Sequence, residues 1–312
     1  MVGGPTDTAR ASHAARRTTP PNVTPRRART ARRVAAVAVG GVALLASLAG
    51  CSAKDAFAFG WPHGGITPQA HRMYDMWIGS TIAALAVGVL VWGLIFWCVV
   101  RYRKRGEQLP VQTRYNLPIE LVYSIVPFFV IAVLFYYTAV TESYVNKTSK
   151  HPDATVHVVA FKWNWQFQYP GTKGQDGQPV ETTGTSSYIP VLVVPAHKKV
   201  QFVEDSEDVI HSFWVPELLF KRDVFPGGTT NRFEVTIDRE GSYVGRCAEL
   251  CGTYHSQMNF ELRSVSWTDY QKFLKDKQKG MSTPAALRDI GQAPYATTTH
   301  PFDTDRTART AS

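Results

Sequence analysis

Two long apolar segments constrain the fold of this chain more than any other feature of its sequence. The first covers residues 76–100 (MWIGSTIAALAVGVLVWGLIFWCVV) and the second covers residues 119–140 (IELVYSIVPFFVIAVLFYYTAV). Each is long enough to cross the hydrocarbon core of a bilayer as a helix, and aromatic residues lie near their ends, as at membrane interfaces. Two buried core helices are the alternative, but the length and near absence of charge favour a transmembrane hairpin over residues 76–140.

The loop between the two segments predicts their orientation. Residues 101–116 contain RYRKRGEQLPVQTR, in which five basic residues stand against the single acid Glu107. By the positive-inside rule this loop is cytoplasmic. Both outer ends of the hairpin, including an N-terminal segment over residues 51–75, are therefore predicted to be extracytoplasmic.

Residues 1–50 are typical of a lipoprotein signal peptide. They hold eight arginines and one acid, which places +7 of the formal charge of +9 at this end of the chain, and an apolar run follows. Leu48-Ala49-Gly50-Cys51 resembles a bacterial lipobox, in which the cysteine becomes the lipidated first residue. An ordinary signal peptide or a third membrane helix is the alternative. Because the basic residues belong to this segment, the charge does not indicate nucleic-acid binding.

The rest of the chain is predicted to be soluble and mostly β. Residues 141–265 alternate and are rich in β-branched and aromatic residues, as in ATVHVVAFKWNWQFQY, which indicates short strands in a sandwich or small barrel. Residues 266–280 predict a helix with Ser266 at its N-cap and Asp269 in its first turn. Residues 281–312 are rich in Thr, Ala and Pro and predict a disordered tail.

The stretch RCAELCGTYHSQMNF, residues 246–260, concentrates ligand-type side chains. A disulfide between Cys247 and Cys251 suits an oxidising compartment but leaves His255 and Met258 without a role. Zinc would take both cysteines, His255 and one further ligand, again without Met258. A mononuclear blue-copper site uses only one cysteine. A dinuclear copper site uses every group, but it requires a second histidine from elsewhere.

Four histidines of the soluble region are candidates for that role: His151, His157, His197 and His211. A lone histidine is more often a surface or packed imidazole, since a metal assignment needs convergent ligands. His211, however, lies in EDSEDVIHSFWVP, just after a predicted strand, and cupredoxin-type sites draw one histidine from such an upstream loop. Together with the cysteine cluster, this position favours His211.

Four blocks together make the chain resemble subunit II of the haem–copper cytochrome c oxidases: the two-helix hairpin, FKWNWQFQY, DVIHSFWVP with a later PGG, and GSYVGRCAELCGTYHSQM. The resemblance covers about residues 73–265. It implies a two-helix transmembrane hairpin plus an all-β cupredoxin-like sandwich domain that carries CuA, a dinuclear copper centre. The ligands it implies are His211, Cys247, the backbone carbonyl of Glu249, Cys251, His255 and Met258.

The resemblance also implies roles outside the copper ligands. The Glu249 carboxylate would reach a Mg²⁺ or Mn²⁺ ion at the border with subunit I, a hard cation that prefers oxygen ligands. Trp163 would receive electrons from cytochrome c, although an aromatic residue on a strand usually serves packing. Glu120 would lie at the mouth of a proton pathway into subunit I, although an acid this near the interface could instead reach water.

An acidic run precedes His211, and such runs usually belong to solvated loops. Beside a copper site it would also steer a basic cytochrome c toward the chain. The predicted docking acids are Glu204, Asp205, Glu207 and Asp208.

The function implied is that of subunit II of a proton-translocating cytochrome c oxidase. The chain would accept electrons from a cytochrome c and pass them to haem in subunit I, where oxygen is reduced and protons are pumped. No C-x-x-C-H haem motif is present, so the donor is predicted to be a separate cytochrome c or a cytochrome of a bc complex. The predicted location is the bacterial plasma membrane, multi-pass, with the cupredoxin domain extracytoplasmic. The alternatives are a copper-free quinol oxidase subunit and a membrane-tethered metallochaperone.

Overall fold

The computed structural model describes residues 58, 61, 64–107 and 111–301. Within these residues, two long helices precede a β-sandwich and two short helices follow it. The four helices are α1 (Pro68–Arg101), α2 (Leu117–Val145), α3 (Trp267–Gln278) and α4 (Thr283–Asp289). The predicted signal peptide and its lipidation site Cys51 lie outside the described residues.

Helices α1 and α2 contain the two apolar segments and are each long and apolar enough to cross a membrane. Both extend beyond the predicted segments, and their outer turns contain buried residues, among them Ala70 of α1 and Val145 of α2. Thr67 caps α1 by accepting a hydrogen bond from the backbone N–H of Ala70, which satisfies one of the free donors of the first turn. The hairpin is thus continuous with the folded domain.

The sandwich has two five-stranded sheets, in the orders β3-β2-β1-β5-β8 and β4-β10-β9-β6-β7. Each sheet contains one parallel pair, β1 with β5 and β4 with β10, and its other pairs are antiparallel. The strands are β1 (Ala154–Phe161), β2 (Asn164–Lys173), β3 (Pro179–Thr183), β4 (Val191–Pro195), β5 (Lys199–Ser206), β6 (His211–Val215), β7 (Phe220–Val224), β8 (Asn231–Thr236), β9 (Gly241–Cys247) and β10 (Asn259–Val265).

The core between the sheets follows from the two-residue alternation of the strands. Strand β1 buries every second residue, beginning with Ala154. Four phenylalanines, Phe202, Phe213, Phe233 and Phe260, stack at the centre, with ring centroids 4.7 Å apart for Phe213 and Phe260. The predicted fold class, two apolar helices and a cupredoxin-like sandwich, is confirmed.

The predicted disordered tail over residues 281–312 is wrong for the part that the structure describes. Helix α4 buries Ala286 and Leu287 against the core, and residues 291–301 then bind two buried side chains of β10. Composition alone did not reveal this order, because the partners of the segment are distant in sequence. Residues 302–312 lie outside the described residues.

Candidate metal centre

Strand pairing brings the candidate ligands together from distant parts of the sequence. His211 is the first residue of β6 and Cys247 is the last of β9, and the two strands pair with Phe213 opposite Cys247. The loop that follows β9 carries the remaining candidates and returns to β10. The N–H of Cys247 donates to the carbonyl of Met258 at 3.1 Å, which closes this loop on itself.

Six candidate donor groups converge on one small region. The two thiol sulfurs lie 3.9 Å apart, and the thioether sulfur of Met258 lies 3.9 Å from the sulfur of Cys251. His211 Nδ1 is 3.8 Å from the Cys247 sulfur, while His255 Nδ1 is 3.5 Å from the Cys251 sulfur. The carbonyl oxygen of Glu249 is 3.3 Å from the Cys247 sulfur. Each thiol therefore has its own imidazole.

These distances suit a metal and not a disulfide. A disulfide brings its sulfurs to about 2.05 Å, whereas both thiols are free here. Two ligands bound to one tetrahedral metal at 2.0–2.3 Å lie about 3.3–3.8 Å from each other. The cluster of His211, Cys247 and Cys251, whose ligand atoms all lie within 4.8 Å of one another, is compatible with copper. Soft thiolate and thioether donors beside imidazoles suit that metal well.

The orientation of the buried His211 ring is set by Asp208. The Asp208 carboxylate Oδ1 lies 2.9 Å from His211 Nε2, so Nδ1 is the nitrogen that faces the sulfurs. A carboxylate on the far nitrogen of a ligating histidine selects its tautomer and strengthens it as a ligand. Asp208 is itself held by the backbone N–H groups of Lys162 and Val209, at 2.8 and 2.6 Å.

The two thiols differ in acidity. Burial would raise the pKa of Cys247, but its hydrogen bonds to His211 and to the backbone outweigh burial and lower that pKa to about 7. Burial, followed by the neighbouring charge on Cys247, raises the pKa of Cys251 to about 12. Near neutral pH the first thiolate is readily available, and the second proton would leave when a metal binds.

Two tryptophans of the β1–β2 region contact the ligand loop. Trp163, which is partly buried, donates from its indole N–H to the Cys251 carbonyl at 3.2 Å. The buried Trp165 donates in the same way to the Met258 carbonyl at 3.1 Å. Sequence reasoning singled out Trp163 but missed Trp165. The alternation of β2 was the available signal, because it turns Trp165 inward.

Gly252 leaves room for the Trp163 indole. A Cβ atom at Gly252 would lie 3.2 Å from the indole ring of Trp163, and the Gly252 φ of +120° is one that other residues rarely adopt. The glycine of the C-G-T-Y sequence thus permits the close approach of tryptophan and ligand loop.

Glu249 points in two directions. Its backbone carbonyl faces the sulfur of Cys247, whereas its half-exposed carboxylate lies 3.4 Å from the ammonium group of Lys221. Lys221 also contacts Asp223 at 2.8 Å. The carbonyl and the side chain are therefore free to serve different partners.

The structure corrects one of the predicted docking acids. Glu204 is fully buried on β5, and neither of its carboxylate oxygens has a hydrogen-bond partner among the described residues. Burial raises the pKa of Glu204 well above its ordinary value. It therefore offers no surface charge to a partner. Val200, Phe202 and Glu204 share the inward face of the strand, and this alternation could have revealed the burial from sequence. Glu207 and Asp208 are exposed, and Asp205 is half-buried.

Glu120 has a local structural contact at the start of α2. Its carboxylate accepts a hydrogen bond from the backbone N–H of Asn116 at 2.9 Å. The Asn116 side chain in turn accepts from the N–H of Ile119. This reciprocal arrangement is similar to a capping box, which stabilises the first turn of a helix.

Comparison with known proteins identifies the family. Residues 154–265 match the family model described as the cytochrome c oxidase subunit II, periplasmic domain. A subunit 2 sequence of Nocardia farcinica is 44% identical, over 92% of this chain and 92% of the relative. The cytochrome c oxidase subunit 2 of Mycobacterium tuberculosis is 42% identical, over 89% of this chain and 91% of the relative.

The chain belongs to the cytochrome c oxidase subunit II family. As a subunit II it is part of an oxidase enzyme complex, it is a membrane protein, and other oxidase subunits are its partners. Among solved structures, the periplasmic domain of subunit II of cytochrome oxidase of Bradyrhizobium japonicum is similar, with 24% identity and a TM-score of 0.38, covering 43% of this chain and 100% of that chain. The family assignment rests on the sequence relatives.

Proposed function

We propose that this subunit II accepts electrons from a cytochrome c at a dinuclear CuA centre and passes them to haem in subunit I, for oxygen reduction coupled to proton pumping. The observation that supports this most directly is the convergence of six donor groups, of which a zinc site or a disulfide would use only some. The proposed ligands are His211, Cys247, the Glu249 carbonyl, Cys251, His255 and Met258.

The symmetry of the donor set favours two metal ions. His211 lies beside one sulfur and His255 beside the other, so the two cysteines could hold a metal pair with one imidazole available to each ion. The Glu249 carbonyl and the Met258 thioether are weaker donors, and they too lie at different sulfurs. When bound, a copper pair would supply a one-electron carrier whose charge is shared with two soft sulfurs.

Trp163 is the proposed entry point for electrons. Its indole is partly exposed and its N–H is bonded to the carbonyl of Cys251, which joins the surface to a ligand by one hydrogen bond. The exposed ring of Tyr254 packs edge-on against it, with centroids 5.0 Å apart. Glu207, Asp208 and Asp205 are proposed to steer a basic cytochrome toward this face.

The remaining roles concern the membrane and subunit I. Helices α1 and α2 are proposed to span the plasma membrane with residues 101–116 on the cytoplasmic side and the sandwich outside. The Glu249 carboxylate would leave Lys221 to bind Mg²⁺ or Mn²⁺ together with subunit I. Glu120 would lie at a proton pathway mouth in addition to its capping contact.

Metal analysis and electron-transfer kinetics test the central proposal. The purified protein loaded with copper should hold two coppers per chain and show the paramagnetic spectrum of a mixed-valence pair. One zinc and no copper would end the CuA proposal. Trp163→Phe should slow electron transfer from reduced cytochrome c while the copper spectrum stays as in the parent. Unchanged kinetics would place the entry point elsewhere.

Lipidation of Cys51 is a separate proposal. Intact-mass spectrometry of the protein from its native membrane should show a mature chain that begins at Cys51 and carries a diacylglyceryl group. A mature start at another residue without lipid would contradict it.

A further inference from the structure

The segment that follows α4 is bound to the copper-site sheet by two buried charged residues. We name residues 291–301 the C-terminal strap. Arg263 of β10 donates from Nη1 to the carbonyl of Ala293 and from Nη2 to the carbonyl of Tyr295, the latter at 3.0 Å. Glu261 of the same strand accepts hydrogen bonds from the strap on its Oε2 oxygen.

Glu261 Oε2 accepts from the backbone N–H and the hydroxyl of Thr297, at 2.6 and 3.2 Å, and from the same groups of Thr298, at 2.8 and 2.9 Å. Its other oxygen pairs with Arg263. Glu261 is 0% and Arg263 1% exposed. Buried ions need nearly complete hydrogen bonding to remain charged, and the strap provides most of it. The strap is therefore an integral part of the folded domain.

The strap leads to the proposed entry point for electrons. Pro301 lines a recess of about 470 Å³ together with Trp163, Tyr254 and Gln257. Gly184, Thr185 and Ile189 also line the recess. The strap contacts this segment as well, because the ring of Tyr295 meets that of Tyr188 edge-on at 6.3 Å. Glu261 is only three residues beyond the candidate ligand Met258, so the copper loop and the strap share one anchoring strand.

We infer that the C-terminal strap forms part of the docking surface for the electron donor, a haem-carrying protein that brings an apolar patch around its haem edge against Trp163. This inference rests on the proposed electron entry at Trp163. The centre of the surface is aromatic, because Trp163 packs against Tyr254. A charge lies beside it, since the Asp208 carboxylate accepts a hydrogen bond from the backbone N–H of Lys162, the neighbour of Trp163. An apolar centre with charge at its rim is the usual arrangement of a protein interface.

Glu261 and Arg263 act in this surface as positioning residues. Among the described residues, their side-chain hydrogen bonds go to each other and to the strap and not to a candidate copper ligand. They hold the strap that carries Pro301 into the lining of the recess. Without Pro301 the recess would lose part of its lining, and the donor would lose contacts near the electron entry point.

Two truncations of the subunit, each assembled in the intact oxidase complex, test the inference. A chain that ends after Thr298 keeps the hydrogen bonds to Glu261 but lacks Pro301, whereas a chain that ends after Phe302 retains Pro301. Both chains end in a new terminal carboxylate, so this added charge is common to the two. The KM for purified reduced cytochrome c should rise about tenfold, equivalent to about 1.4 kcal/mol, in the shorter chain only. Turnover with a small diffusible reductant and the copper spectrum should stay as in the parent.

Equal KM values in the two truncated complexes would overturn the inference, and so would a changed copper spectrum in the shorter chain, because the strap would then serve the fold alone. If the shorter chain does not assemble, Pro301→Glu in the full chain provides the same test, and an unchanged KM again overturns it. Trp163→Phe, measured in parallel, reports on the entry point itself. Normal electron-transfer kinetics in Trp163→Phe would contradict the proposed function. The two truncated chains test only whether the strap contributes to docking.

Discussion

Replacing Asp208 by alanine is expected to weaken copper binding without removing any copper ligand. The carboxylate lies 2.9 Å from His211 Nε2 and holds the ring with Nδ1 toward the sulfurs. The His211 side chain is fully buried whereas Asp208 is partly exposed, so water could enter after truncation but would bring neither the charge nor the backbone anchoring of the carboxylate. Loss of such an outer partner typically lowers metal affinity 10- to 100-fold, which corresponds to about 1.4–2.8 kcal/mol.

Glu207→Ala is the matched control for this prediction. Glu207 is the adjacent residue, is exposed and carries the same charge, so its removal changes the local potential without touching the histidine. Copper affinity is measured by competition with a chelator of known affinity on each purified variant. The paramagnetic spectrum of Asp208→Ala should also change at the copper bound by His211.

Asp208→Asn separates charge from geometry. Asparagine can still accept the hydrogen bond from His211 Nε2, but it carries no charge and one of its two side-chain positions becomes a donor. The loss of affinity should therefore be smaller than with alanine. If the copper affinity of Asp208→Ala is within twofold of that of Glu207→Ala, the result would contradict the role of Asp208 in orienting His211.

Four further substitutions test the site and the core. Met258→Leu should alter the reduction potential and the copper spectrum while lowering stability by less than about 1.5 kcal/mol, since the volume is conserved, and unchanged spectra would remove Met258 from the ligand set. Cys251→Ser should abolish the two-copper spectrum altogether, and retention of that spectrum would contradict the role of Cys251 as a ligand of the pair. Gly252→Ala should push on the Trp163 indole and slow electron transfer from cytochrome c; kinetics equal to the parent would contradict the close contact. Burial raises the pKa of Glu204, so the folded chain should release this proton at a higher pH than the unfolded chain. Stability should therefore fall by up to about 1.4 kcal/mol per pH unit between the ordinary pKa and the raised one. Glu204→Gln should lack this fall, and chemical unfolding that gives the same pH dependence for both proteins would refute it.

Local spacing in the sequence carried most of the information on the candidate copper loop. Cys247, Cys251, His255 and Met258 lie within twelve consecutive residues, so one loop can bring their donor atoms together without help from distant segments. Likewise, each apolar segment is a helix by its own length and composition, whatever it packs against. Both features were therefore predictable from sequence.

Contacts between distant residues were decided only by the tertiary structure. His211 joins the cysteines because β6 pairs with β9, and the spacing of the histidine in the chain does not encode that pairing. Charge alone did not distinguish Glu204 from Glu207, although one lies inside the sandwich and the other at its surface.

The C-terminal region shows most clearly the difference between local sequence information and long-range contacts. Its composition of Thr, Ala and Pro predicted disorder, because composition measures only what a segment can bury by itself. Residues 291–301 are ordered through Glu261 and Arg263, about thirty residues earlier in the chain. The sequence alone determined the helices, the sandwich and the ligand loop, since these depend on neighbouring residues. The tertiary structure decided which histidine, which carboxylate and which terminal segment meet that loop, since these contacts exist only after the two sheets have paired.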